Sequence, residues 1–226
     1  MTDKEILLTN HLSQFVSDHK KEFVDRVLNE RTRYVTIVLE NIYQSQNASA
    51  TLRTSECMGL QGVHIVENTA KYQLNIRVLK GADKWLELHR YRTRGINNTE
   101  VCFSRLKSEG YKIYVADPAE GGVPVDELRI DNKIALVFGN ELRGVSDYAI
   151  ENADGKMRIP MYGFTESLNI SVSVAISLNT IMKKLRASDV DFRLTEEEKR
   201  LIRLEWFKKI VKRSDLLERE FLRTIQ

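Results

Sequence analysis

Three short stretches hold the side chains best suited to chemistry in this sequence, and each follows an apolar run. The first is Glu40-Asn-Ile-Tyr-Gln-Ser-Gln-Asn47-Ala-Ser-Ala-Thr-Leu-Arg53, a polar stretch that leads into a helix with an arginine on its second turn. A guanidinium stays charged and can grip a phosphate or steady a developing negative oxygen. The plain alternative is a capping asparagine and a surface charge. The second, Leu136-Val-Phe-Gly-Asn-Glu141-Leu-Arg-Gly144-Val-Ser146, puts a carboxylate two places after a glycine that ends an apolar run. It is not a phosphate loop, which needs Gly, four residues, then Gly-Lys-Ser/Thr, and it lacks the three spaced glycines of a dinucleotide fingerprint. A simple turn between strand and helix would read the same way. In the third, Arg158-Ile-Pro-Met-Tyr-Gly163-Phe-Thr-Glu-Ser167-Leu-Asn169, two hydrogen-bonding side chains stand at the mouth of a helix whose Ser171, Ser173, Ala175 and Ser177 are small. Such a helix admits close packing, and a satisfied buried serine helix needs no active site. Cys57, Cys102, His11, His19, His64 and His89 show neither metal-ligand spacing nor a disulfide framework, so no metal is expected.

Strands and helices must hold these residues in place. Residues 34–39, 62–66, 111–116 and 133–138 are short apolar runs between polar flanks, which predicts buried strands, and 156–159 predicts a shorter one. Asn47 is expected to cap a helix through 58 that Gly59 stops, and Asn98 one through 109 that Gly110 stops. Further helices are expected at 146–152 and 169–186. The alternation predicts an α/β fold, an open and mostly parallel sheet with helices on both faces. Ligands then sit at the carboxyl ends of the strands, in the loops after Leu39, Ala116, Phe138 and Ile159.

Residues 4–28 read as helices ahead of this body. Beyond it, Thr195-Glu-Glu-Glu198 is a capping box, and Leu201, Leu204, Phe207, Ile210, Leu217, Phe221 and Ile225 keep an amphipathic spacing. The expected division is 1–33 as an N-terminal helical extension, 34–186 as the body, and 187–226 as a basic C-terminal helical extension. The net charge is only +3, from 35 Lys+Arg against 32 Asp+Glu, but residues 181–226 alone hold 13 basic and 9 acidic side chains. No stretch approaches the roughly 18–20 apolar residues of a membrane span, and no leader pattern opens the chain. A soluble, cytoplasmic protein without a membrane partner is expected.

Together the three stretches resemble the SpoU/TrmH branch of the SPOUT superfamily of S-adenosylmethionine-dependent RNA 2′-O-methyltransferases. Asn47-x-Ser-Ala-x-Leu-Arg53, Phe138-Gly-Asn-Glu141-x-x-Gly144-Val-Ser and Ile159-Pro-Met-x-Gly-x-x-x-Ser167-Leu-Asn169-Ile-Ser stand in the family's order, and the likeness covers residues 34–186. The resemblance implies the SPOUT fold with a C-terminal trefoil knot, one of the rare threaded chains. It also implies S-adenosyl-L-methionine held by the knotted loops, S-adenosyl-L-homocysteine as product, and a homodimer whose interface completes the site. Gly81-Ala-Asp-Lys-Trp85, the lack of a separate front domain, and helical extensions at both ends resemble the group that methylates guanosine 18 in the D-loop of tRNA. Leu142-Arg143, where several members of that group carry Lys first, departs from it. The alternatives are a ribosomal RNA 2′-O-methyltransferase and a non-catalytic RNA-binding protein of the same fold.

By the same resemblance, Arg53 is the proton acceptor or a phosphate clamp, Asn47 and Ser167 position ribose and phosphate, Asn169 braces the site, and Glu141 orients the loop or Arg53. The cofactor is expected along Ala116, Phe138, Gly139, Asn140, Ile159, Met161 and Leu168, where Gly139 permits close approach. Contact with tRNA is expected from Lys183, Lys184, Arg186, Arg193, Arg200 and Arg203, whose alternative is a solvated helix face. His89-Arg-Tyr-Arg-Thr-Arg94 is a second basic cluster, suited either to RNA or to blunting an edge strand.

Overall fold

The computed structural model describes residues 2–118 and 121–224. Its sheet is built from β1 (Val35–Glu40), β2 (Gly62–Val66), β3 (Glu87–Tyr91), β4 (Tyr111–Ala116), β5 (Val123–Pro124), β6 (Lys133–Phe138) and β7 (Gly155–Arg158). The order is β3-β2-β1-β6-β4-β7-β5. Every pairing is parallel, where the sequence pattern predicted a mostly parallel sheet. The helices are α1 (Asp3–Ser13), α2 (Asp18–Leu28), α3 (Ser45–Cys57), α4 (Ile76–Leu79), α5 (Asn98–Ser108), α6 (Asp147–Asn152), α7 (Ile170–Arg186), α8 (Glu196–Ile210) and α9 (Ser214–Thr224).

Residues 32–192 form one compact unit. A parallel sheet needs cover on both faces, and alternate side chains of one strand supply both. Ile37 and Leu39 of β1, with Leu136 of β6, pack under Leu52 of α3 and Leu178 and Ile181 of α7. Val38 and Val137, between them in the chain, face Phe103 and Leu106 of α5 and Ala149 of α6. Burying each such side chain contributes roughly 1.5–3 kcal/mol. From β1 the chain moves outward to β2 and β3, then returns to build β4 and β6 on the other side. The carboxyl ends of β1 and β6 therefore flank a switch point, where a parallel sheet opens a crevice.

Local differences from the sequence reading have identifiable causes. Helix α3 starts at Ser45 behind Gln44, so Asn47 sits inside its first turn and is not the cap. Its side chain is drawn into long-range hydrogen bonds described below. Asn97, not Asn98, caps α5 by accepting the Thr99 N–H at 3.1 Å. Asn98 instead closes the loop after β3, accepting from the Thr93 N–H and donating to the Thr93 carbonyl. Gly59 and Gly110 stop their helices at φ 87° and 83°. The capping box at Thr195 and Glu198 is formed. Helix α4, the 3-10 turn at 82–84 and the two-residue β5 carry too few residues to show a period.

The chain ends up to Arg31 and from Arg193 onward form a second compact unit. In it α8 packs on α1 and α2, burying Leu12 and Leu28 along with Trp206 and Phe207. His11 stacks on Phe221 at 4.4 Å. Arg31 lies over the Trp206 ring. Ile225, the last apolar position of the C-terminal spacing, lies outside the described residues.

Candidate active site

The exits of β1, β4, β6 and β7 enclose a cleft of about 460 Å³. Asn47, Glu141, Ser167 and Asn169 line it, as do Ala116, Phe138, Gly139, Asn140, Ile159, Met161 and Leu168. Its lining combines the apolar side chains of Phe138, Ile159, Met161, Leu168 and Ile170 with a connected polar network.

That network begins at Glu141. Its carboxylate accepts the Asn47 Nδ2 amide at 3.0 Å and the main-chain N–H groups of Tyr43 and Gln44 at 3.0 and 3.2 Å. A carboxylate only accepts, so the Asn47 amide nitrogen must face it and the Asn47 oxygen must face away. That oxygen accepts Asn169 Nδ2 at 3.1 Å. Asn169 in turn presents its own oxygen to the Ser171 N–H at 2.9 Å, capping α7. Residues from all three sequence stretches thus form one chain of bonds with a fixed donor order. Burial works to raise the Glu141 pKa. The Asn47 amide and the two main-chain donors outweigh it and hold the carboxyl below its ordinary 4.5. Glu141 is therefore an anion at neutral pH with its lone pairs engaged, a brace and a poor proton acceptor.

The loop after β6 is shaped by its glycines. Asn140 and Gly144 exchange two main-chain hydrogen bonds of 2.8 Å, so the loop doubles back on itself. A Cβ at Gly139 would lie 2.2 Å from the Gly144 carbonyl and the Val145 nitrogen. The close approach that Gly139 permits is thus made by the chain's own backbone. Asn140 fastens the turn, accepting from the Leu142 and Arg143 N–H groups and donating to the Asn41 carbonyl.

Glu40, absent from the sequence-based site, is the second brace. It is 1% exposed at the end of β1. It accepts the Ser146 N–H and Oγ, each at 2.8 Å, and the Thr99 hydroxyl. An acid that ends an apolar strand cannot be buried without such partners, and that position was the available clue. Gln44, Asp117, Arg158 and Ser173 also line the cleft unannounced. Asp117 is paired with Lys156 at 2.8 Å.

Arg53 is not brought to this cleft. It is exposed on α3 and makes no hydrogen bond or ion pair with any described residue. Among the expected RNA contacts, Lys184 donates to the carbonyls of Asp126 and Leu128. Lys183 and Arg186 border a shallow hollow beside Cys57, and Arg186 also lies over Phe192. In the helical unit, Arg193 and Arg200 are exposed while Arg203 pairs with Asp25 at 2.6 Å. Among the described residues, no group of three or more His, Cys, Asp or Glu could hold a metal. No described helix is long and apolar enough to cross a membrane.

A protein-family model described as the SpoU rRNA methylase family matches residues 34–179. The tRNA (guanosine(18)-2′-O)-methyltransferase of Borreliella burgdorferi is 42% identical over 218 residues, spanning 96% of this chain and 98% of its own. The crystal structure of the A. aeolicus TrmH/SpoU tRNA modifying enzyme aligns with a TM-score of 0.75 and 27% identity, over 87% of this chain and 98% of that one. The SpoU methyltransferase AviRb from Streptomyces viridochromogenes, solved in complex with AdoMet, shares the fold at a TM-score of 0.60 and 20% identity, over 73% and 65% of the two chains. With the family model spanning every strand of the sheet and a relative this similar end to end, the chain belongs to the SpoU methylase family.

Proposed function

We propose that this protein methylates the ribose 2′-hydroxyl of guanosine 18 in the D-loop of tRNA, in the cytoplasm, with S-adenosyl-L-methionine as donor and S-adenosyl-L-homocysteine as product. The observation that carries the reading is the single cleft in which Glu141, Asn47 and Asn169 are hydrogen-bonded in series. The name borne by the 42% identical relative supplies the substrate.

The cleft suits the cofactor. Its apolar wall of Phe138, Ile159, Met161 and Leu168 would take a flat ring and thioether-like chain, and the main chain at the strand exits offers hydrogen-bonding edges. When bound, S-adenosylmethionine supplies a methyl group on a sulfonium that already carries positive charge, so the chemistry calls for no metal. The polypeptide's task is the hydroxyl, a very weak acid that must be held in line and stabilised as it loses its proton. Glu141 is too well satisfied for that work. Asn47 and Asn169 hold the wall against which the ribose rests, and Ser167 stands at the rim to position it.

Arg53 then acts as the phosphate clamp that stabilises the developing alkoxide, since a delocalised guanidinium gives up its charge too reluctantly to serve as a base. Because it stands outside its own cleft, it serves the cleft of a second copy. Val172 and Ile176, one turn apart near the start of α7, are 43 and 37% exposed and supply apolar surface for that homodimer. The knot belongs to the same reading, with the loops at 139–145 and 160–169 as its threaded segments.

The test is methyl transfer from labelled S-adenosylmethionine to tRNA lacking the modification, with the product nucleotide mapped. Wild type should give a single 2′-O-methylguanosine, and Arg53→Ala should lose about 10²–10³-fold in kcat/KM with an unchanged melting temperature. Transfer only to ribosomal RNA would replace the substrate, and transfer to no cellular RNA would end the assignment.

A further inference from the structure

The basic cluster at residues 89–94 takes no part in the site above, yet it stands on the same edge of the sheet. Strands β2 and β3 end side by side, with Val66 opposite Tyr91. Their exits border a separate cleft of about 620 Å³, lined in part by Glu67, Asn68, Arg92 and Arg94.

The charges in this cleft are unbalanced. Among the described residues Glu67 is the only acidic one lining it, and the carboxylate is occupied by Arg90 at 2.7 Å and by the Tyr72 N–H at 2.9 Å. The first N–H groups of α5 are satisfied as well, Asn98 by the Asn68 oxygen and Thr99 by the Asn97 oxygen. Arg92 and Arg94 are both exposed, and neither forms a hydrogen bond or ion pair with any described residue. Elsewhere in this unit Arg33, Arg105 and Arg129 each lie within 2.8 Å of a carboxylate oxygen. Two like charges two residues apart, with no acid between them and no packing role, repel each other unless an anion arrives.

The sheet fixes their distance from the active cleft. β3 is two steps from β1 and three from β6. At about 4.8 Å per step, the arginine loop stands about 10–15 Å along the same carboxyl edge. A short run of nucleotides leaving the active cleft along that edge would bring its phosphates over Arg92 and Arg94.

We propose that this second cleft is a backbone subsite for the substrate RNA, in which Arg92 and Arg94 hold phosphates flanking the methylated nucleotide. The inference rests on the RNA-methyltransferase reading above. A guanidinium fork matches two phosphate oxygens at once, which suits contact with the backbone and carries no base preference.

The experiment compares the full-length protein with R92Q/R94Q, measuring tRNA binding against salt concentration and the KM for tRNA in methyl transfer. Both side chains are exposed, so melting temperature and S-adenosylmethionine affinity serve as checks of the fold. The expected result is about a tenfold weaker tRNA affinity near physiological salt, with the slope of log K against log salt shallower by about 1.4, at about 0.7 per lost single-strand phosphate contact. The loss should appear in KM, and R92K/R94K should recover most of the slope because the charge returns. A folded R92Q/R94Q protein with the wild-type slope and KM would overturn the subsite while leaving the methyltransferase reading intact. Wild type that neither binds nor methylates tRNA would overturn the parent reading instead.

Discussion

The two clefts on the carboxyl edge are built on opposite plans. Around β1, β6 and β7 the polar side chains bond to one another, so that Glu141, Asn47 and Asn169 each fix the next and Glu40 locks the neighbouring loop. Around β2 and β3 two guanidiniums bond to none of the described residues. The first arrangement sacrifices adaptability for position, which in-line transfer requires within a fraction of an ångström. The second leaves its charges exposed and unengaged by described residues, which suffices for attracting a phosphodiester backbone. A substitution in the first cleft should therefore disturb geometry and stability, and one in the second should disturb salt-dependent affinity.

The largest expected break is Gly139→Ala. Its new Cβ would meet main-chain atoms of Gly144 and Val145 at 2.2 Å, and main chain cannot swing aside as a side-chain tip can. The β6 loop must move, at a cost of about 1–3 kcal/mol as in other overpacked sites. Calorimetric titration should find S-adenosylmethionine binding lost while the salt slope for tRNA stays put. Retained cofactor affinity would show that the loop's doubled-back form is dispensable. Asn47→Asp comes next. It sets a second carboxylate 3.0 Å from that of Glu141 and deletes the donor between them. Urea unfolding should show about 1–3 kcal/mol lost, more than for Asn47→Ala, because the repulsion also raises the Glu141 pKa. Equal losses for the two variants would mean that Glu141 has room to turn away.

These residues also mark how far the sequence could be read. Strand runs, helix stops and the three motifs are local patterns, so β1, β2, β4, β6, Gly59 and Gly110 were legible. Asn47 looked like a cap because a local pattern gives an asparagine ahead of a helix no other partner. Its amide nitrogen does donate to Gln44 three residues back, but the partners that fix its orientation, Glu141 and Asn169, lie 94 and 122 residues away. Gly139 was legible as a place of close approach, but that the loop's own backbone makes one such approach was not, because only coordinates show the loop doubling back. Glu40 was visible as an acid ending an apolar strand, yet its burial depends on Ser146 and Thr99, which topology alone brings near. The pairing of α1 and α2 with α8 and α9 stayed open, as one choice beside the body or a second subunit, for the same reason. Each helix shows an apolar face, and no spacing says which face covers it.

The smallest effect is the most specific test of the first cleft's plan. In Glu141 the hydrogen bonds lower the folded-state pKa below 4.5. A carboxyl depressed by folding contributes stability that is present above its unfolded pKa and is lost as the pH falls through the folded value. Glu141→Gln keeps the shape but cannot titrate, and its amide places a donor among donors. The gap in melting temperature between wild type and E141Q should thus be widest at neutral pH, about 2–4 °C if one net hydrogen bond of about 1 kcal/mol is lost. It should close below pH 4.5. Glu87 and Asp154, also held below their ordinary values by hydrogen bonds and ion pairs, titrate in both proteins and cancel in the difference. R92Q/R94Q leaves the Glu141 hydrogen bonds untouched and should track wild type throughout. A gap for E141Q that stays constant down to pH 3 would mean that the carboxylate's charge is not what holds Asn47, and the contrast between a braced cleft and a free one would lose its electrostatic half.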